Sequence, residues 1–374
     1  MTTLSNRAAQ EWTRCHFYGI HLKANFNLFS ESGYFMRSLT GIRGIFCVYV
    51  FFYHLFPIKF SLVKNGWVSV DLFLVLSGYI LSYAHEKDFS HRFSEYNMWE
   101  FMKKRIFRIF PLNTFIIFMV SLLMLIPQHY LHDGVLKIKS DAFFTNLLLI
   151  NIFSCHEVSY DSFYQSSINF TSWSLSAEFI LYTFFPFIFY IVKNKRSITI
   201  PAFVCSISIM EVIFQLHDHS LPIYGFDALA RCACDFVIGI LMFNSNIFQM
   251  SGKRSFKVDA LFMLMLISFF IHKSFLIGII LFSIIIKNMN DSHSLSEKIL
   301  STPLIVYLGD ISFSIYMNHL VIGIIMSNVF KDILFKGFYG HEFLNFAIVT
   351  LAVSIFTYHC IEKPARIYLR RKFC

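Results

Sequence analysis

Long apolar runs recur along this sequence, and they constrain its fold more than any other feature. Examples are Phe115–Ile126, Phe179–Val192 and Leu261–Ile271. Each approaches the roughly 20 residues that an α-helix needs to cross a bilayer. Only 15% of the residues are charged and 56% are hydrophobic, whereas about a quarter of the residues of a soluble domain are charged. We therefore predict an all-α polytopic integral membrane protein.

The distribution of basic residues indicates which apolar segments cross the bilayer. The segments that can be drawn are 39–57, 67–84, 109–126, 142–154, 174–192, 198–216, 228–243, 258–272, 274–287, 303–326 and 344–361. The strongly basic connections are 92–108, 193–196, 253–257 and 363–372. All of these connections fall on one side only if 142–154 does not cross, and the positive-inside rule requires that side to be the cytoplasm. We predict about ten transmembrane helices plus one re-entrant or interfacial segment.

The same charge pattern gives the domain organisation and the partners. We expect a cytoplasmic N-terminal segment at 1–36, one membrane domain at 37–364 and a basic cytoplasmic tail at 365–374. Both termini of this multi-pass protein would then be cytoplasmic. The net charge of +9 is explained by basic residues at the bilayer surface. The lipid bilayer is thus a predicted partner, and nucleic acid is not.

Ionisable side chains inside membrane helices are costly and are therefore functional candidates. Arg43 and His54 are three turns apart on one helix, so they share a face about 16 Å apart. The predicted topology places His54, Asp71 and Glu178 at similar depth in the outer half. A carboxylate beside a histidine fixes its tautomer and supports general base catalysis. We predict that Asp71 or Glu178 orients His54, and the alternative is a purely structural polar cluster.

A second group of charges lies at the predicted cytoplasmic side. Arg105 and Arg108 are three residues apart, share a helix face and lie at a depth close to that of Arg43. Guanidinium groups in this arrangement are suited to a phosphate-bearing ligand, although a simple basic belt is the alternative. Arg231 and Asp235 are four residues apart on another predicted helix, and we interpret them as a structural pair.

Six blocks of sequence resemble, in order, the acyltransferase 3 family of membrane O-acyltransferases that modify bacterial surface polysaccharides. The blocks are Arg37–Gly44 followed by His54, Gly66–Tyr79, Arg105–Pro111, Trp173–Glu178 followed by Tyr182 and Pro186, Gly309–His319, and Glu362–Pro364. Two mild departures occur, because Leu74 stands where the family commonly has a second phenylalanine and Phe313 stands where it has tyrosine. No single block is specific, but six in the right order are.

The resemblance implies an O-acyltransferase with about ten helices in the bacterial inner membrane. Its donor would be cytoplasmic acyl-CoA, expected to be acetyl-CoA, a co-substrate rather than a bound cofactor. Its acceptor would be a hydroxyl of a polysaccharide or lipid-linked glycan, such as O-antigen, capsule or exopolysaccharide. His54 would deprotonate this hydroxyl or carry the acyl group transiently. The residues implied to hold the phosphates of the coenzyme are Arg43, Arg105 and Arg108. Ser77 and His319 are second-rank candidates for substrate binding or oxyanion stabilisation.

Two other classes of membrane protein remain as alternatives. A transporter could use the buried charges for ion or proton coupling, but it predicts inverted halves with matching broken helices, and the sequence has no such pair. An unrelated Asn/His acyltransferase would need an intramembrane asparagine, for which Asn288 with His319 is the available choice. The outer loop that carries His217 and His219 is weak evidence for metal binding, and we predict no metal site.

Overall fold

The computed structural model describes residues 31–55, 63–89, 95–123, 140–154, 167–246, 248–250, 254–269, 275–289, 294–328 and 342–374. Over these residues the chain is helical, with no strand. The α-helices are α1 Glu31–Leu55, α2 Val68–Phe89, α3 Glu95–Leu123, α4 Ser140–Leu147, α5 Ser172–Asn194, α6 Thr199–Leu216, α7 Gly225–Asn244, α8 Arg254–Ser268, α9 Phe275–Met289, α10 Leu295–Leu300, α11 Pro303–Asn328, α12 Glu342–Thr357 and α13 Lys363–Phe373. Most of the predicted N-terminal segment 1–36 lies outside the described residues.

Every predicted spanning segment contains a helix, and the all-α membrane fold is confirmed. Within the described residues, 7 helices are long and apolar enough to cross a membrane. These spans are Phe35–His54, Val68–Phe89, Asn97–Leu123, Ser172–Asn194, Arg196–Leu216, Pro303–Met326 and Leu344–Phe373. Of the remaining predicted spans, α7 carries three charged residues, and α8 and α9 have 15 residues each. A helix of that length extends about 22 Å, so the count of ten stays a prediction.

Helices α1 and α11 pack backbone to backbone through two glycines. A Cβ on Gly44 would lie 2.6 Å from the nitrogen of Gly309, and a Cβ on Gly309 would lie 1.9 Å from the carbonyl oxygen of Thr40. Further along the same interface, Cys47 Sγ donates to the Ser312 carbonyl oxygen at 3.1 Å. Small residues permit this close approach, which is a common way to associate helices in membranes. Because contacts advance in the same direction along both helices, α1 and α11 are parallel.

Helices α2 and α7 form a second parallel pair, because Asp71 lies beside Arg231 near their first residues and the Tyr79 ring lies 5.8 Å from the Phe243 ring further along both helices. Two glycines allow the backbones to approach closely. A Cβ on Gly78 would lie 2.1 Å from the carbonyl oxygen of Phe236, and a Cβ on Gly239 would lie 2.0 Å from that of Val75. Both parallel pairs agree with the predicted alternation of direction. Parallel spans must be separated by an odd number of crossings, and α2, α3, α5 and α6 alone would place an even number between α1 and α11. The packing therefore favours a further crossing by α7 and a paired passage of α8 and α9.

The short helix α9 extends between the same two ends of the bundle as its neighbours. Phe275 begins α9 beside Trp67 and Phe214, with ring centroids 5.7 and 4.8 Å away. Near the other end of α9, the Asn288 amide donates to the Phe248 carbonyl oxygen at 2.8 Å, and Phe248 follows α7. We call the end of the bundle that contains Arg105 the inner end, and the end that contains His54 the outer end.

The segment predicted to be re-entrant or interfacial does not form one spanning helix. Helix α4 ends at Leu147, and Leu149 adopts a positive φ of 56°, which reverses the chain. The turn is tied to the start of α5, because Ser176 donates to the Leu149 carbonyl oxygen at 2.7 Å and Asn151 donates to Ser172 Oγ at 2.9 Å. The structure agrees with the prediction that 142–154 does not cross.

The C-terminal helices form one continuous rod. A π-helical turn, Tyr358–Glu362, joins α12 to α13 without a break. The predicted boundary between a membrane domain and a tail at 364/365 therefore falls inside a continuous helix. At the end of α13, Lys103 Nζ donates to the Phe373 carbonyl oxygen at 2.9 Å, which attaches the helix to α3.

We predict that Gly309→Ala destabilises the protein, because the added methyl group meets the backbone of α1, which cannot rotate away. Overpacking of this kind costs about 1–3 kcal/mol. Thermal unfolding in detergent should show a lower midpoint. The matched control is Gly323→Ala on the same helix, where the nearest atom is the movable Phe346 ring at 3.2 Å. Equal midpoints for the two variants would contradict the close packing.

We also predict that a reporter fused after Lys195 reads cytoplasmic. Four long apolar helices precede this position, which returns the chain to the side on which it started. A phosphatase or fluorescent-protein fusion in cells measures the side directly. A signal from the opposite side would mean that a further segment before Lys195 crosses.

Candidate active site

A cavity of about 120 Å³ runs inside the bundle between α1, α2, α3, α5 and α11. Its lining residues are Arg43, Val70, Phe73, Leu74, Leu76, Ser77, Ile80, Leu81, Arg105, Arg108, Ile109, Ser174, Leu175, Glu178, Tyr182, Ser312, Phe313 and Tyr316. All three predicted phosphate-binding arginines are in this set. Five of the six sequence blocks contribute to it, so the motifs converge on one site.

The arginines cluster toward the inner end of the cavity. Arg105 is buried, and its guanidinium carbon lies 5.4 and 5.8 Å from the ring centroids of Phe101 and Tyr182. Aromatic faces stabilise a guanidinium that has left water. Arg43, on α1, approaches from the opposite wall and is only partly buried. The predicted proximity of Arg43, Arg105 and Arg108 is therefore found in the structure.

Glu178 belongs to the arginine end of the cavity and not to the level of His54. Its Oε1 accepts from Ser77 Oγ at 2.7 Å and from the Tyr182 hydroxyl at 2.5 Å. The prediction that Glu178 lies beside His54 is not supported, because its hydrogen-bond partners are Ser77 and Tyr182 and helical rise gives depth only approximately. Ser77, a second-rank candidate, lines the cavity as the partner of Glu178.

The described partner of His54 is His319. The Nε2 atom of His319 lies 3.2 Å from Nδ1 of His54. His319 Nδ1 is 2.8 Å from the Tyr316 carbonyl oxygen, and His54 Nδ1 is 2.9 Å from the Val50 carbonyl oxygen. Carbonyl oxygens only accept, which assigns the proton of each neutral ring to Nδ1. His319 Nε2 then accepts from His54, and the Nε2 lone pair of His54 remains available as a base.

His54 and His319 differ in their exposure to the surface. His319 is fully buried, whereas the side chain of His54 is exposed at the outer end. His54 can therefore meet a ligand from the outer side while His319 holds its orientation. The imidazole of His319 therefore occupies the position beside His54 that the sequence predicts for a carboxylate.

Tyr316 connects the histidine pair to the cavity. Its ring lines the cavity, its hydroxyl hydrogen-bonds to Ser174 Oγ at 2.7 Å, and its carbonyl oxygen accepts from His319. Neither histidine lines the cavity, so Tyr316 separates it from His54. We did not single out Tyr316 from the sequence, although its spacing of three residues from His319 places both on one helix face.

Asp71 lies elsewhere in the bundle, in a buried cluster of charges. Its Oδ1 is 3.3 Å from Nε of Arg231, and both side chains are almost fully buried. Asp235 interacts with the same two residues, and the guanidinium of Arg231 stacks 5.3 Å from the Trp173 ring centroid. Asp71 therefore joins α2 to α7, and the prediction that it orients His54 is not supported. Arg231 and Asp235 do lie in one buried cluster, but the ion-pair partner of Arg231 is Asp71 and not Asp235 as predicted.

Asn288, the candidate for an Asn/His acyltransferase, and His217, the candidate for a metal site, both have other hydrogen-bond partners in the structure. The Asn288 side chain donates to two carbonyl oxygens and accepts from the Met250 amide, so these contacts do not join it to His319. His217 hydrogen-bonds to Asp227 at 3.0 Å. Within the part of the chain that the structure describes, no group of three His, Cys, Asp or Glu side chains could hold a metal ion.

We predict that Arg231→Gln lowers stability by about 3 kcal/mol, because breaking a buried ion pair strands the remaining charge. The double variant Asp71→Asn/Arg231→Gln should recover part of the loss, since no unpaired Asp71 carboxylate remains. Thermal unfolding of both variants and the wild type measures the coupling. Lys298→Gln, which removes the same charge from an exposed position, is the control. Additive losses in the double variant would argue against the pair.

These features define a polytopic membrane protein with a cavity lined by arginines toward the inner end of the bundle and a histidine pair beyond Tyr316, outside the cavity lining. The sequence matches the model of the acyltransferase domain, type 3, over residues 36–359. The match covers most of the chain, and the chain belongs to the acyltransferase 3 family.

Several curated relatives carry names that refer to O-acetyl transfer. A Bacillus subtilis protein named as a candidate peptidoglycan O-acetyltransferase is 28% identical over 370 residues, covering 91% of this chain and 56% of the relative. The peptidoglycan O-acetyltransferase OatA of Listeria monocytogenes is 26% identical over 311 residues, covering 76% and 49%. A candidate O-acetyltransferase of Staphylococcus aureus is 23% identical, covering 89% and 57%. The chain thus spans about half the length of these relatives. No solved structure matches it significantly.

Proposed function

We propose that this protein is a membrane O-acetyltransferase that moves an acetyl group from cytoplasmic acetyl-CoA to a hydroxyl of a cell-surface glycan. The observation that carries the proposal is the arrangement of the site, with arginines at the inner end of a cavity and an oriented, exposed His54 at the outer end. Membership in the acyltransferase 3 family favours this enzyme over the transporter alternative.

The inner end of the cavity suits the phosphate groups of the donor. Arg43, Arg105 and Arg108 line it together, and guanidinium groups bind phosphate oxygens through paired, charge-assisted hydrogen bonds. A volume of about 120 Å³ is smaller than a complete acyl-CoA, so only the narrow arm of the donor would lie inside. The nucleotide half would remain at the cytoplasmic mouth.

The outer end suits the chemistry of acyl transfer. The acceptor hydroxyl would lose its proton to His54 Nε2 as its oxygen attacks the thioester carbonyl carbon. The new C–O bond forms, the C–S bond breaks, and the proton leaves with the coenzyme thiolate. His319 accepts from His54 Nδ1 throughout and keeps the ring in its basic tautomer. Tyr316 separates the cavity from His54, so its side chain would have to move for the thioester to arrive.

The acceptor is proposed to be a glycan because His54 is exposed at the outer end of the bundle and because relatives are named as peptidoglycan O-acetyltransferases. The Listeria monocytogenes relative is named for peptidoglycan, and the sequence resemblance suggested O-antigen, capsule or exopolysaccharide. These acceptors share a sugar hydroxyl outside the membrane. We place the protein in the bacterial inner membrane with both termini cytoplasmic, which puts the donor and the acceptor on opposite sides.

We predict that His54→Ala lowers acetyl transfer by about 10²–10⁴-fold, the usual contribution of a general base, without loss of folding. Purified protein in lipid nanodiscs, supplied with labelled acetyl-CoA and extracted cell-surface glycan, provides the assay. The control is His359→Ala, since His359 is exposed and hydrogen-bonds to Tyr307 at 3.2 Å. Unchanged transfer by His54→Ala would refute the mechanism. Arg43→Ala should mainly raise the KM for acetyl-CoA.

A further inference from the structure

The outer part of the cavity is closed by one residue from each of three helices. Val70 of α2, Ser174 of α5 and Tyr316 of α11 all line the cavity. Helix α2 begins beside the outer end of α1, where a Cβ on Gly66 would lie 2.5 Å from the Cβ of Tyr53. Val70 and Ser174 are therefore near the outer starts of their helices, and Tyr316 is the last residue of α11 in the cavity lining. A ligand that enters among the arginines meets these three side chains at its far end.

The side chain of Tyr316 is held across this outer end. Its hydroxyl hydrogen-bonds to Ser174 Oγ at 2.7 Å, and Ser174 Oγ donates its one proton to the Thr171 carbonyl oxygen at 3.3 Å. Tyr316 is thus the donor in the first of these bonds. The ring of Phe73 packs edge-on against the Tyr316 ring, with 6.4 Å between the centroids. The Tyr316 ring is therefore fixed both at its hydroxyl and along its side.

The backbone around Tyr316 is joined to the start of α5 by a second hydrogen bond. The Asn169 side-chain amide donates to the Met317 carbonyl oxygen at 3.0 Å, and Thr171 Oγ1 donates to Asn169 Oδ1 at 2.8 Å. The Tyr316 carbonyl oxygen accepts from His319. Helices α5 and α11 are thus held together at the level of Tyr316, so the space available there depends on the Tyr316 side chain more than on movement of the helices.

A closed, narrow end of this kind discriminates between acyl groups of different length. The cavity has a volume of about 120 Å³, and the apolar side chains of Val70, Phe73 and Phe313 line it together with Tyr316. A packed interior does not accommodate added methylene groups without displacing its neighbours. One methylene group in an apolar pocket changes kcat/KM by about 10- to 200-fold. An acyl group must come to the Tyr316 ring before it can meet His54, so this ring limits its length.

We propose that Tyr316 determines which acyl group the protein accepts, and that its ring, held by Ser174, selects acetyl over longer acyl groups. The inference rests on the proposed function, because it places the acyl end of the acyl-CoA donor at the outer end of the cavity. It gives Tyr316 a role in donor specificity, separate from the binding of the coenzyme phosphates and from proton transfer at His54.

The test compares acetyl-CoA with butyryl-CoA as donors, with purified protein in lipid nanodiscs and extracted cell-surface glycan as the acceptor. The ratio of the two kcat/KM values should favour acetyl-CoA by about 100-fold or more in the wild type, since butyryl has two further methylene groups. Tyr316→Ala removes the ring, and the ratio should fall by about tenfold or more. Tyr316→Phe retains the ring and its packing against Phe73, so its ratio should stay close to that of the wild type.

Two further variants and one binding measurement control for general damage to the site. Tyr307→Ala should leave the ratio unchanged, because Tyr307 lies on the same helix outside the cavity lining and hydrogen-bonds to His359 at 3.2 Å. Tyr316→Leu also removes the ring and gives the same test where the alanine variant does not fold. The dissociation constant of CoA without an acyl group should be the same in all variants, since its phosphates would bind at the arginine end.

The outcomes distinguish this inference from the proposed function. If the wild type transfers neither acyl group to the glycan and releases no CoA from either donor, the proposed function is wrong and the role of Tyr316 is lost with it. If the wild type prefers acetyl-CoA and the Ala and Leu variants keep the same ratio, only the role of Tyr316 is overturned. Equal use of both donors by the wild type would overturn it as well.

Discussion

The close contact between α1 and α11 is the interaction on which the site depends. Gly44 and Gly309 remove the side chains that would otherwise separate these helices. With the backbones touching, the parallel register brings His54 level with His319 ten residues beyond Gly309. The same register points Arg43 into the cavity from α1. A wider or shifted interface would separate the histidines and leave His54 without its described partner.

Two groups of buried polar side chains in this bundle have different surroundings. Arg231 forms an ion pair with Asp71 away from the cavity, beside Asp235, and this cluster joins α2 to α7. Glu178 is held by Ser77 and Tyr182 at the cavity wall. Ionisable groups in hydrocarbon are costly without such partners. The two kinds of cluster show that a charged residue in a membrane helix serves either packing or a site.

The sequence grouped the cavity arginines correctly, but it did not identify the partner of His54, and the difference has a physical reason. Arg105 and Arg108 lie on one helix beside a basic connection, so local spacing and the positive-inside rule were sufficient to group them. The partner of His54 depends on a helix more than 250 residues away. Helical rise gave approximate depth, but it could not give the rotation of each helix about its axis.

The sequence by itself determined that the chain is a helical membrane protein, where its helices lie, and that a basic layer faces one side. These properties follow from the apolar content of local segments and the position of charges beside them. Only the tertiary structure decided that His319 supports His54, that Asp71 belongs to a structural cluster, and that α13 is attached to α3. Such contacts depend on which helix faces meet, and backbone packing at a few glycines sets those faces.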